Sequence, residues 1–158
     1  FTSNLPYTLV ILSLVFYLQQ SSKPSIVSLS LETPLNSINI EILAKDEKLI
    51  KAIRINGPLF FGATDHVRKT LDKIKDEGVK NILIVGNGIN FIDISGAELL
   101  INQADKLRLS GGRIYLCGLN DNVRKYLAKG GHLEKFGNEN VFSNMDTAIL
   151  EINKHLLD

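Results

Sequence analysis

Asp93-Ile94-Ser95-Gly96-Ala97-Glu98 is the stretch of this 158-residue chain whose residue types and spacing come closest to working chemistry. Ser95 followed by Glu98 has the spacing of a capping box, in which the serine oxygen accepts an orphan amide at a helix start and the glutamate reaches back to the cap residue. On that reading Ser95→Ala costs about 0.5–2 kcal/mol, the usual range for a lost cap. The same hydroxyl is a candidate phosphoacceptor, because a phosphate there would meet unpaired N–H groups and the positive end of a helix dipole. The two roles are compatible, and Asp93 and Gly96 flank Ser95 as parts of one candidate regulatory site.

Other chemistry-bearing residues carry less. Gly86-Asn87-Gly88 follows a strand, but it lacks Gly-Lys-Ser/Thr and is not Gly-x-Gly-x-x-Gly, so weak nucleotide binding has no motif behind it. Its glycines are expected to form a tight turn that presents Asp93 and Ser95. Cys117 and Arg124 invite comparison with cysteine phosphatases, yet one residue too many separates them and no base stands near, so a buried, inert thiol is expected. His66 is expected on the charged face of a helix, His132 in a Gly-rich loop and His155 in the last turn of the chain, none with a recognisable partner. This scatter has no metal-ligand spacing, and one cysteine can build neither a disulfide framework nor a Cys-rich zinc site. No catalytic residue, metal or cofactor is expected.

The elements that would position these residues follow from periodicity. Ile38, Ile40 and Ile42 alternate with polar residues over 37–43, a half-buried strand, and a polar turn at 45–48 leads to a second strand over 49–55. Their closeness predicts an antiparallel pair. Gly57-Pro58 stops that strand, and Leu59, Phe60 and Phe61 are expected to be core and staple residues seating the next helix. An exposed phenylalanine among them would instead suit contact with another domain or subunit. An amphipathic helix over 63–77 carries Val67, Leu71 and Ile74 and is closed by Gly78. Asn81-Ile82-Leu83-Ile84-Val85 reads as a strand covered on both faces, followed by a loop over 86–94 and a helix over 96–109. A strand over 113–117, a helix opened by Asn120, a short edge strand over 139–142 and a last helix over 144–157 complete the chain. This alternation predicts one α/β domain, a mixed sheet of about four to five strands packed with about four helices.

Composition bounds the rest. Lys+Arg 18 against Asp+Glu 17 leaves a net charge of +1, which offers no broad field for nucleic acid. Residues 1–22 contain no Asp, Glu, Lys or Arg, and Leu9, Val10, Ile11, Leu12, Leu14, Val15 and Phe16 make their centre almost wholly apolar. The segment lacks the basic start and cleavage site of a signal peptide. It reads either as the end of a membrane-spanning helix cut from a longer chain or as an apolar arm that packs on its own domain or a partner. Residues 23–36 read as a linker bounded by prolines, and 37–158 as the folded domain.

Strand, Asp-x-Ser-Gly, helix, preceded by Arg54-Ile55-Asn56-Gly57-Pro58-Leu59-Phe60-Phe61, resembles the STAS domain of sulfate transporters and anti-sigma factor antagonists, from about residue 37 to 157. The Gly-Pro-Leu-Phe-Phe run looks like the SulP anion permeases. That resemblance implies a non-enzymatic regulatory or assembly domain on the cytoplasmic face of the plasma (inner) membrane. It would follow the last membrane helix of a secondary transporter of the sulfate, bicarbonate or dicarboxylate class. Its implied partners are the membrane domain of the same transporter, a second copy in a homodimer and a regulatory protein. Phe60 and Phe61 are the candidate contact surface. The alternative is a free-standing anti-sigma factor antagonist switched by phosphorylation at Ser95, although Ile94 stands where antagonists often carry a second serine. A small α/β enzyme using Cys117 or Ser95 is a third reading.

Overall fold

A computed structural model of the chain describes residues 39–46 and 50–157. Among the described residues five strands form one sheet in the order β1-β2-β3-β4-β5. They are β1 (Asn39–Asp46), β2 (Ile50–Asn56), β3 (Asn81–Gly88), β4 (Arg113–Cys117) and β5 (Val141–Phe142). β1 lies antiparallel on β2, with Ile40 opposite Ile55 and a register shift between Ile42 and Ala44. β2 to β5 are parallel to one another. The helices are α1 (Thr64–Asp76), α2 (Ile94–Leu109), α3 (Asp121–Lys129), α4 (His132–Phe136) and α5 (Met145–Leu157).

Period-2 alternation sorts the strand side chains into two cores. On one face Ile53, Ile55, Ile82, Ile84, Ile114 and Leu116 are buried together with apolar residues of α1, α2, α3 and α4. On the other, Ile50, Ala52, Leu83, Val85, Tyr115 and Cys117 are buried with Ala148, Ile149 and Ile152 of α5. Each fully buried Ile or Leu contributes about 1.5–3 kcal/mol of transfer free energy. The unbroken apolar run of β3 therefore has a physical cause in its burial on both sides. α1 ends where Gly78 takes φ 90, a left-handed conformation that suits glycine. One buried charge interrupts the first core: Lys51 is paired with Glu77 at 3.2 Å, tying the start of β2 to the end of α1.

Two expectations need correction. β3 continues through Gly86-Asn87-Gly88, which are strand and not a turn. Gly88 sits opposite Asn56, and a Cβ there would displace the Asn56 side chain and come within 3.0 Å of the Ile55 carbonyl oxygen, so the close approach to β2 suits glycine. His132 is not in a loop but opens α4, where its ring stacks on Tyr126 with centroids 6.3 Å apart. The apolar segment 1–22 and the linker 23–36 lie outside the described residues. Among the described residues no helix is long and apolar enough to cross a membrane.

Candidate functional site

Gly57 takes φ 109 at the end of β2, and the chain then runs alongside the segment leaving β3. The Gly57 N–H donates to the Gly88 carbonyl at 2.8 Å, the Leu59 N–H to the Phe91 carbonyl at 2.8 Å and the Asp93 N–H to the Leu59 carbonyl at 3.3 Å. Leu59 is wholly buried opposite Ile92 in a parallel bridge. Two motifs some thirty residues apart in sequence are thus neighbours, zipped by backbone hydrogen bonds.

Asp93 fastens the two. Its Oδ1 accepts the Gly96 N–H at 2.9 Å and its Oδ2 accepts the Phe61 N–H at 3.0 Å. The first bond makes Asp93 the N-cap of α2, with extended backbone and its carboxylate on the third N–H of the helix. The cap expected at Ser95 is therefore displaced by two residues. Ser95 lies within the first turn, and Glu98 is exposed with no reciprocal bond among the described residues. A carboxylate at a helix start has an electrostatic advantage over a hydroxyl, because the first turn carries partial positive charge. Gly96 has a separate cause: a Cβ there would fall on the Leu59 carbonyl oxygen and within 2.9 Å of the Ile92 and Leu59 side chains. The Gly of Asp-x-Ser-Gly lets α2 start against the Leu59 backbone.

Ser95 is half-buried, and its hydroxyl has no hydrogen-bond partner among the described residues. It lines a groove of about 490 Å³ between α1 and α2, together with Phe61, Thr64, Arg68, Gln103 and Lys106. Both cations of that groove are engaged, Arg68 with Asp65 at 2.8 Å and Lys106 with Asp72 at 3.6 Å. Lys69, then Arg68, hold the Asp65 carboxyl below the usual carboxylate range. Around Asp93 and Ser95 stand three exposed apolar side chains, Phe61 at 77%, Phe91 at 53% and Ile94 at 58%. Leu59 is core as expected and Phe60 is half-buried, but Phe61 is not a core residue. Its N–H is held by Asp93, which leaves the ring in solvent. In the sequence Phe91 and Ile94 read only as part of the loop over 86–94, with no signal of their exposure.

The remaining candidates are structural. Cys117 is completely buried, and burial pushes its thiol up to about 12, with the Arg54 charge opposing this only in part. A protonated thiol under the sheet is no nucleophile, and Arg124 is exposed on α3. His155 does have a partner: its Nδ1 lies 3.1 Å from the Tyr115 hydroxyl, which fastens α5 to β4. Asn120 caps α3 through the Val123 N–H at 2.9 Å and donates to the Ile89 carbonyl at 2.7 Å. That second bond holds the loop before Asp93. Among the described residues no cluster of His, Cys, Asp or Glu could hold a metal ion.

The sequence profile of the STAS domain matches residues 39–148, from β1 into α5. The chain belongs to the STAS domain family. It is similar to YvdB of Bacillus subtilis (strain 168), provisionally named a sulfate transporter, with 24% identity over 138 residues. That match covers 87% of this chain and 25% of YvdB, so the chain spans about a quarter of the relative's length. An anti-sigma F factor antagonist of Paenibacillus polymyxa is 23% identical over 95 residues, covering 60% of this chain and 81% of the antagonist. The crystal structure of a sulfate transporter family protein from Wolinella succinogenes aligns with a TM-score of 0.59 and 30% identity, covering 68% of this chain and 86% of that one. The α/β STAS architecture expected from the residues is the one observed.

Proposed function

We propose that this STAS domain is the cytoplasmic regulatory and assembly domain of a SulP-type secondary anion transporter of the sulfate, bicarbonate or dicarboxylate class. One observation carries the reading. The likeness to YvdB covers 138 residues, more than lie between residue 39 and the C-terminus, so it reaches back into the segment before β1. The likeness to the antagonist spans 95 residues, a length the domain alone can supply. The apolar run over 1–22 supports the same reading, as the end of a last membrane helix joined to the domain by 23–36. The domain then sits on the cytoplasmic face of the membrane, contacting the membrane domain of its own transporter and a second copy in a homodimer. Phe60 and Phe61 supply the contact surface, and Ser95, which lines a groove with Phe61, is the regulatory position.

A free-standing antagonist switched at Ser95 is the second reading, favoured by the Asp93-Ile94-Ser95-Gly96 motif and by the coverage of the antagonist's length. Uptake of radiolabelled sulfate, bicarbonate and a dicarboxylate into proteoliposomes holding the full-length protein separates the two. Uptake of one anion that changes on removal of residues 37–158 supports the transporter reading. No uptake, together with tight binding of the chain to an anti-sigma factor kinase, supports the antagonist.

A further inference from the structure

A single carboxylate holds both the start of α2 and the exposed aromatic loop. Asp93 receives the Gly96 N–H on Oδ1 and the Phe61 N–H on Oδ2, and Ser95 lies two residues along in the same helical turn. We propose that Asp93 couples charge at Ser95 to the Phe60–Phe61 segment: a phosphate on Ser95 weakens the hold of Asp93 on the Phe61 N–H and frees that amide. The inference rests on Ser95 as a modifiable position and on Phe60 and Phe61 as a contact surface. It adds the physical link between them.

The link follows from charge and from which bonds have substitutes. A phosphoserine carries about −1.5 to −2 at neutral pH and three acceptor oxygens. Placed in the first turn, it repels the Asp93 carboxylate and competes with it for the same helix-start amides. The groove's cations offer little relief, because Arg68 and Lys106 already face Asp65 and Asp72, and Glu98 adds a further negative charge. The Phe61 N–H has no acceptor but Asp93 among the described residues, and with 77% of Phe61 exposed, little burial keeps the ring in place. The surroundings are held independently. Leu59 bonds to Phe91, the Ala63 N–H to the Phe60 carbonyl, and the Thr64 hydroxyl to the Phe61 carbonyl. Loosening is therefore centred on the Phe61 amide, while the 3-10 turn Phe61–Ala63, the zipper at 57–59 and helix α1 keep their own bonds. The modification is a phosphoryl transfer from a nucleoside triphosphate by a separate kinase. The Ser95 Oγ–P bond forms, the bond to the leaving nucleoside diphosphate breaks, and the hydroxyl proton passes to the kinase's base.

The test installs the charge directly. Phosphoserine is incorporated at position 95 of the full chain during synthesis, with Ser95→Asp as a second form, and backbone amide exchange is read residue by residue by NMR. Asp93→Asn is the control, because its Oδ1 can still cap Gly96 while its NH2 group cannot accept from Phe61. Exchange at Phe61 should rise about tenfold or more in the phosphorylated chain and in Asp93→Asn, with Leu59 unchanged. Phosphoserine in the Asp93→Asn background should add nothing further. Unchanged Phe61 exchange on phosphorylation, or an equal increase with and without Asp93, would overturn the proposal. If protein from native cells carried no phosphate on Ser95, the regulatory reading of that residue would fall, while the coupling measured here would stand or fall on its own data.

Discussion

Asp93→Ala and Ser95→Ala should differ sharply in stability, and the order is the reverse of what the capping-box spacing suggests. Asp93→Ala removes the N-cap bond to Gly96, worth about 0.5–2 kcal/mol. It also removes the bond from the Phe61 N–H, which for a charged acceptor would be worth about 1.5–3 kcal/mol if buried. Asp93 is only half-buried and Phe61 is exposed, so solvent reduces the second contribution to about 1 kcal/mol. The total is about 1.5–3 kcal/mol, or roughly 3–12 °C in Tm for a domain of this size. Ser95→Ala removes a half-buried hydroxyl with no partner among the described residues and should stay within about 0.5 kcal/mol of the parent. Asp93→Asn should fall between them, since it keeps the cap and loses the bond to Phe61. Urea unfolding of the four chains, followed by far-UV circular dichroism, gives the comparison. A Ser95→Ala loss as large as that of Asp93→Ala would refute the assignment of the cap and the reasoning built on it.

Gly96→Ala should cost more than about 3 kcal/mol or prevent native folding, because its methyl meets the Leu59 backbone, which cannot move without opening the zipper with Phe91; equilibrium unfolding checks this. Cys117 should resist thiol reagents in the native state. With the folded thiol raised to about 12, the unfolded chain releases its proton first, so stability present at neutral pH falls as pH rises from about 9 towards 12, and Cys117→Ala flattens that slope in pH-dependent melting. A chain lacking residues 1–22 should still unfold cooperatively, since the two cores are built from strands and helices from residue 40 onward; loss of a cooperative transition on melting would contradict this. The same truncation should abolish association seen by light scattering, because Leu9 to Phe16 are too apolar to remain uncovered in water.

What the residues disclosed was the pattern, and what they withheld was the local contest at each element's end. Unbroken apolarity in β3 and helical spacing of Val67, Leu71 and Ile74 follow from burial, and β1, β3 and α1 all formed, with β1 over 39–46 where 37–43 was expected and β3 running on through Gly88. Asp93 and Ser95 are both good cap residues, and spacing favoured Ser95 because Glu98 follows it. Only the approach of the Phe61 N–H, 32 residues away in sequence, gives Asp93 its second bond. Phe61 misled for a related reason. A phenylalanine after Gly-Pro-Leu looks like a core residue, but Leu59 already fills the interior position and the chain turns Phe61 outward. The five-residue helix α4 follows Gly131 at φ 75 and carries too few residues for a periodic signal. The Asp-x-Ser-Gly motif was legible throughout, and the structure supplied the causes of its Asp and its Gly.

The central claim, that the domain is part of a membrane transporter, is tested most directly by finding the polypeptide that carries it in its native cell. An antibody raised against residues 37–158 is applied to cell fractions after a carbonate wash. The account predicts that the epitope stays in the washed membranes, on a polypeptide several times longer than 158 residues, and is reached by protease only from the cytoplasmic side. An epitope found only in the soluble fraction, on a polypeptide no longer than the domain itself, would contradict it.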